Sequence, residues 1–390
     1  MKIVEPELRA RVHRRFVARA PATDEATVRA ELAGLLRSEA PLLTEHDFQR
    51  LLGALHDEVR GLGPLEPLLA DPAINEVMVN GPDRVYVERA GGLERVAVEL
   101  DGDQIVRIVE RVVAPLGLRL DRTSPMVDAC LADGSRLHAV IPPLAVDGPC
   151  VTIRRFVTRS VTLDDFACRG RAAAFLGWAV RAGWNLLVAG GTSSGKTTLV
   201  QALSDIVAPD ERIVTIEETA ELALSLPHVV RLEARRANAE GVGEVSVRDL
   251  VRAALRMRPD RLVVGEVRGA EALDLLQALN TGHDGSFSTV HANCPRDALT
   301  RLETLARFSG ELPLESIRAQ TGAAVDAIVQ VARLNDGSRV VSEIAEVSSD
   351  GATTRTLCAR RDGHLHPCAA SDRPARRHGV APPDDGRFAC

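Results

Sequence analysis

Lysine is almost absent from this chain: of its 48 basic residues only Lys2 and Lys196 are lysines. Aromatic residues are scarce too, 3% of the total with one tyrosine and two tryptophans, which excludes the stacked aromatic platforms of single-strand nucleic-acid binders. Positive charge is not in excess. The formal net charge is −6, so the whole chain is not a polycation held on nucleic acid by phosphate neutralisation, and no direct nucleic-acid partner is expected. No run approaches the ~18 apolar residues that span a bilayer. The opening Met1-Lys2-Ile3-Val4-Glu5-Pro6 turns arginine-rich where a signal core would be apolar, so a cytoplasmic chain with a peripheral membrane role at most is expected. The seven cysteines are odd in number, scattered and free of a C-x-x-C pair, a pattern of reduced thiols and not of a disulfide framework.

What is present is more specific. The second lysine sits in Gly190-Gly191-Thr192-Ser193-Ser194-Gly195-Lys196-Thr197, followed by Thr198, which matches the phosphate-loop pattern G-x-x-x-x-G-K-[ST] in full. Surface charge can be met by arginine, but a β/γ-phosphate cradle calls for a compact ammonium on a flexible stem. The flanks agree: Asn185 to Ala189 reads as a short buried strand and Thr198 to Leu203 opens a helical pattern. In that arrangement loop N–H groups and a helix N-terminus face an anion. Lys196 then reaches the phosphates of ATP and the Thr197 hydroxyl ligates Mg²⁺. An ordinary glycine-serine turn is the bland alternative, and the flanks argue against it.

At 390 residues and 45% hydrophobic content the chain has room for two or three domains. Residues 1–60 read as a helical segment, with apolar positions at helical spacing in Val28 to Leu36 and Phe48 to Val59; its basic run is Arg9, Arg11, Arg14, Arg15 and Arg19. After Gly61-Leu62-Gly63-Pro64, residues 61–158 alternate short strand-like runs with turns and one helix near Asp103 to Ala114, a small α+β domain. Residues 159–172 read as a linker. Residues 173–348 alternate strand and helix, which predicts an α/β domain with a largely parallel sheet. Residues 349–390 lose apolar periodicity and fill with Arg, Pro, Asp and Gly, so a disordered tail is expected there. His364, His366 and Cys368 have no complementary ligand pair at a supporting spacing and are not read as a metal site.

A nucleotide-hydrolysing site needs acids at the C-terminal ends of neighbouring parallel strands. Two elements fit: Arg212 to Ile216 followed by Glu217 and Glu218, and Arg261 to Val264 followed by Gly265 and Glu266. A strand ending in exposed acid is commonplace; two of them, downstream of a phosphate loop, point to Mg²⁺ and water handling, with Glu266 on Mg²⁺ through water. Between them Ser246 and Asp249 make a capping-box start for a helix that Pro259 ends. Then come His283 and His291, set among glycines around a short strand Ser288 to Val290. Each is read as a γ-phosphate sensor against the alternative of a hydrogen-bonding structural histidine.

These four segments, residues 190–198, 215–222, 258–269 and 280–293, resemble the Walker A loop, Asp box, atypical Walker B and His box of the type II/IV secretion ATPase superfamily. The likeness extends upstream through Gly61 to Leu69, Val79 to Tyr86, Asp133 to Arg136 and Pro142-Pro143, where it resembles the CpaF-type tight-adherence (Flp) pilus assembly ATPases. The resemblance implies a RecA-like P-loop domain preceded by a smaller α+β domain, with ATP and Mg²⁺ bound between the two. It further implies a homo-oligomer, a hexamer, docked on a polytopic inner-membrane platform protein at the cytoplasmic face of the membrane. A conjugation-type ATPase on the same core is the alternative. One departure is Glu218, where the resemblance leads one to expect an aspartate after Ile216-Glu217. In such a ring one or two arginines should neutralise the terminal phosphate in cis or from a neighbour. Arg154 and Arg155, at the end of the α+β domain, and Arg231, after the Asp box, are the candidates, ahead of Arg136.

Overall fold

The computed structural model describes residues 8–9, 11–12, 15–16, 25–89, 92–131, 133–155, 161–235, 237, 242–371, 373–377, 380 and 388–389. Arg14 and Arg19 of the basic run, and residues 159–160 of the expected linker, lie outside them. The chain divides into two compact units, Met1–Val157 and Thr158–Cys390.

In the first unit, helices Glu25–Glu39 and Glu45–Arg60 bury one apolar stripe each, with Val28, Leu32, Leu36, Phe48, Leu52 and Leu55 forming a cluster. Thr44 opens the second helix by accepting the Asp47 N–H at 3.1 Å. A six-stranded antiparallel sheet follows: β1 (Ile74–Asn80), β2 (Val85–Arg89), β3 (Gly92–Val96), β4 (Met126–Cys130), β5 (Arg136–Val140) and β6 (Cys150–Arg154), in the order β3-β2-β1-β6-β5-β4. Helix Gly102–Val113, started by a capping box between Asp101 and Gln104, lays Ile105, Ile108, Val109 and Val113 on its core.

The second unit is built on nine strands: β7 (Leu186–Gly190), β8 (Ile213–Glu217), β9 (Val229–Glu233), β10 (Arg261–Val264), β11 (Phe287–His291), β12 (Ala327–Arg333), β13 (Arg339–Val347), β14 (Thr354–Arg361) and β15 (His364–Pro367). Their order is β15-β14-β13-β12-β7-β11-β10-β8-β9. From β12 to β9 every pairing is parallel, and β13 to β15 add on antiparallel. β7 is buried throughout. Leu186 and Val188 join the apolar core of one face, Leu187 and Ala189 that of the other, which is why its sequence reads as an unbroken apolar run and not an alternation. This is a RecA-like P-loop fold.

Three expectations are corrected. The tail is not disordered over its described part: β14 and β15 extend the sheet, with Leu357 and Cys358 buried. Its arginines hid this, because a polar composition suggests solvation while here they serve as internal donors. Arg360 donates to Val341 O and Ala167 O, both at 2.9 Å. Arg373 donates to Val347 O at 2.7 Å and Gly322 O at 2.8 Å. Arg373 and Arg376 both pair with the buried Asp326, at 2.8 and 2.6 Å, and Arg377 pairs with Glu211, which the buried Arg261 grips at 2.6 and 2.9 Å. The linker, secondly, belongs to the core of the second unit: Val161, Leu163, Phe166 and Cys168 are buried there around a 3₁₀ turn, and a helix starts at Gly170. Thirdly, Cys358 is disulfide-bonded, while Cys150, Cys168, Cys294 and Cys368 are free thiols.

Candidate functional site: a phosphate loop and two acidic strand ends on one sheet edge

The loop leaves β7 at Gly190 and enters helix Lys196–Ser204. Ser193 and Gly195 take left-handed backbone angles, φ 57° and 94°, folding the loop back over the strand end. Gly190 is required by space: a Cβ there would lie 2.5 Å from Ser194 Oγ and 2.7 Å from Val331 O. Ser194 Oγ donates to Gly191 O at 2.9 Å. The Lys196 ammonium donates to Gly190 O at 3.1 Å and Gly191 O at 2.9 Å, so it lies inside the loop. Burial pushes its pKa down; the charge of Glu266 opposes that and Arg268 adds to it. The arrangement fits a polyphosphate: a half-buried ammonium, loop N–H groups and the free N–H groups of a helix's first turn converge on one spot. Thr192 and Ser193 lie exposed on the loop, and Thr197 and Thr198 are half-buried in that first turn.

Because β7, β8, β10 and β11 run parallel, their C-terminal ends share one edge with the loop. Glu217 ends β8, Glu218 follows it, Glu266 follows β10, and His291 ends β11 paired with Gly190. The two acids of the Asp box behave differently. Glu217 is 4% exposed and its carboxylate turns back to accept the N–H groups of Glu221 and Leu222 at 3.1 and 3.2 Å. Its Cγ fills the space over Gly265, where a Cβ would come within 2.7 Å. It therefore positions the β8 and β10 ends and does not face the open site. Glu218 is exposed and receives Arg268 Nη1 at 2.8 Å, while Glu266 receives Arg268 Nη2 at 2.9 Å. Thr289 Oγ1 bonds Gly265 O at 2.6 Å and Val267 N bonds Thr289 O at 2.9 Å, so β11 fixes the turn that carries Glu266. Among the described residues no three His, Cys, Asp or Glu side chains form a ready metal cluster. Mg²⁺ is commonly held by one or two protein groups plus substrate phosphates; Thr197 and Glu266 are the groups that would hold it.

Burial raises the Glu217 pKa to about 7, the backbone bonds of Leu222 and Glu221 pulling the other way. Its folded pKa thus lies above the ordinary glutamate value of 4.5, so the stabilising contribution of the neutral acid is full below that value and is lost as pH rises towards 7. Glu217→Gln keeps the shape without the charge. Its melting temperature relative to wild type should rise as pH goes from 5 to 8; a difference that stays flat across that range would remove Glu217 as the titrating group.

Two sequence candidates are not at this edge. His283 precedes β11 and bonds Ala278 O through Nδ1 at 3.0 Å, and its carbonyl accepts Ser286 Oγ. It sits at the opposite end of a five-residue strand from His291, roughly 16 Å away at ~3.3 Å per residue. In its own chain it is therefore held by a main-chain carbonyl away from the phosphate loop. Arg231 lies mid-way along the edge strand β9, paired with Thr215, and donates to Ala220 O at 2.9 Å. Four strand spacings separate β9 from β7, roughly 19 Å, so it does not serve the loop of its own chain. In the first unit, Arg154 is exposed, cross-strand from Glu76 and Arg136. Arg155 Nη1 donates to Asp71 O and Ile74 O at 2.5 and 2.7 Å, a structural use of its charge. Sequence reasoning passed over Arg268, although a guanidinium two residues beyond a strand-end acid is a visible signal. It also passed over Phe166 and Arg339, which pack against Gly195 and come from segments remote in sequence.

These features define a P-loop protein. The chain belongs to the type II/IV secretion system protein family, whose model matches residues 58–368. A putative conjugal transfer protein of Mycobacterium tuberculosis is 46% identical over 305 residues, 75% of this chain and 86% of that protein. The type IV secretion system protein VirB11 of Brucella suis is 33% identical over 330 residues, 76% and 91% of the two chains. Among solved structures, the Legionella pneumophila ATPase DotB superposes with a TM-score of 0.54 at 18% identity, over 74% of this chain and 81% of that one, a likeness of fold.

Proposed function

We propose that this chain is an ATP-hydrolysing motor of a conjugation or type IV secretion apparatus, acting as a ring of identical subunits at the cytoplasmic face of the membrane. The observation that carries it is the Lys196 ammonium seated in the loop, with Glu266, Glu218 and Arg268 beside it on the same sheet edge. The loop backbone and Lys196 bind the phosphates; Thr197 and Glu266 hold Mg²⁺, which supplies charge neutralisation for phosphoryl transfer. Glu218 and Glu266 orient the attacking water, and His291, exposed and paired with Gly190 at the strand end, is the candidate sensor of the terminal phosphate. The names of the conjugal transfer and VirB11 relatives support export as the work done. Six copies and a polytopic platform protein are the assembly that the family resemblance suggests. Among the described residues no helix is long and apolar enough to cross a membrane, and a platform would give the ring its attachment.

Phosphate release by the purified full chain tests the reading. Activity should need Mg²⁺, and Glu266→Gln should keep nucleotide binding while cutting turnover by at least ~10²-fold. A wild-type chain that binds ATP but releases no phosphate would make it a nucleotide-gated scaffold. The tight-adherence pilus is a second reading, favoured by the Gly61 to Leu69 and Val79 to Tyr86 segments. Small prepilin genes beside this one would support it; conjugation genes and DNA-stimulated turnover would count against it.

A further inference from the structure

Arg268 combines a fixed main chain with a movable side chain. Its own N–H and that of Gly269 both donate to Glu271 Oε1, at 2.6 and 2.7 Å, in the first turn of helix Glu271–Leu279. The guanidinium, in contrast, spans two carboxylates from different strands, Glu218 at 2.8 Å and Glu266 at 2.9 Å. The three side chains are 57%, 54% and 27% exposed for Arg268, Glu218 and Glu266, and ion pairs this open are weak and exchangeable. The charges of Glu266 and Arg268 are both felt by Lys196, which places the guanidinium within the field of the phosphate loop. A planar fork of donors matches phosphate oxygens at least as well as it matches carboxylates.

We propose that Arg268 reads the terminal phosphate of the nucleoside triphosphate, exchanging the Glu266 carboxylate for phosphate oxygens while Glu218 keeps it within reach. The assignment rests on the ATPase reading above. It makes Arg268 the residue that separates triphosphate from diphosphate, and it frees Glu266 only when a triphosphate is present. Until then the single guanidinium is shared by the two carboxylates, and the one that activity needs stays engaged.

Equilibrium titration of the full chain with a non-hydrolysable ATP analogue and with ADP tests this without turnover. Wild type is read first. If it binds neither nucleotide saturably, the ATPase reading fails and this assignment falls with it. With wild-type binding established, Arg268→Ala and Arg268→Gln should weaken the analogue by about tenfold or more, the worth of one lost charge-assisted contact. ADP should stay within about twofold, and Arg268→Lys should recover part of the loss. Equal weakening of both nucleotides, or an unchanged ratio between them, would overturn the assignment and leave Arg268 as a strut between the two acids.

Discussion

Lys196→Ala should fold and melt like the wild type and hydrolyse ATP slower by roughly 10²–10³-fold or more, the usual loss when a preorganised charge is taken from a reacting centre. The ammonium is the group most central to the loop, bonded to Gly190 O and Gly191 O. Its removal leaves those carbonyls near solvent, and the strand, the helix and the Gly190 contacts stay in place, so stability should change little. No other lysine exists in the second unit to take over. An arginine there would present a planar fork in place of a point charge, so Lys196→Arg should also be poor. Phosphate release alongside a thermal melt checks both claims; turnover within a few-fold of wild type would end the phosphate-loop assignment.

Ending the chain after Ser349 should unfold or aggregate the second unit, although residues 350–390 contain no part of the phosphate loop or its acids. Asp326 is buried, accepts Asn185 N–H at 2.7 Å, and relies on Arg373 and Arg376 for its counter-charge. Breaking a buried pair by removing one side costs about 3–5 kcal/mol, and here two arginines leave together with Arg377 and two strands. For a unit of this size that is a fall of the melting midpoint on the order of 10 °C. Arg376→Ala isolates the effect: it should destabilise, and adding Asp326→Asn should restore part of the loss because the stranded charge is then gone. A truncated chain that stays soluble and melts within a degree or two of wild type would show the segment to be peripheral after all.

The parts of the site that were legible in the sequence are those whose chemistry is local. The phosphate loop needs its glycines, serines and lysine side by side, and each acidic strand carries its own acid. The division of labour between Glu217 and Glu218 was not legible, since adjacent residues on a strand end point opposite ways and only the fold shows which side is closed by Gly265. His283 and His291 lie apart for a reason the sequence contains: two groups flanking one short strand are held at its opposite ends. Composition misjudged the C-terminal segment, because arginine counts as solvated in any average, yet these arginines spend their donors on backbone carbonyls and buried acids. Arg231 was placed by order along the chain, which carries no information about β9 lying at the sheet edge.

The arginine-rich segment that closes on Asp326 and Glu211 also sets an order on biosynthesis. β7, with the phosphate loop behind it, is made before its neighbour β12 and the buried Asp326, which come well over a hundred residues later, and the arginines that pair with that acid come later still. During synthesis the central strand waits with one side unpaired, exposed to the wrong partners that such edges attract. The second unit closes only once Arg373 and Arg376 have been made. A product cut short between β13 and Arg373 would carry the phosphate loop and both acidic strands yet lack the two guanidinium partners of the buried Asp326.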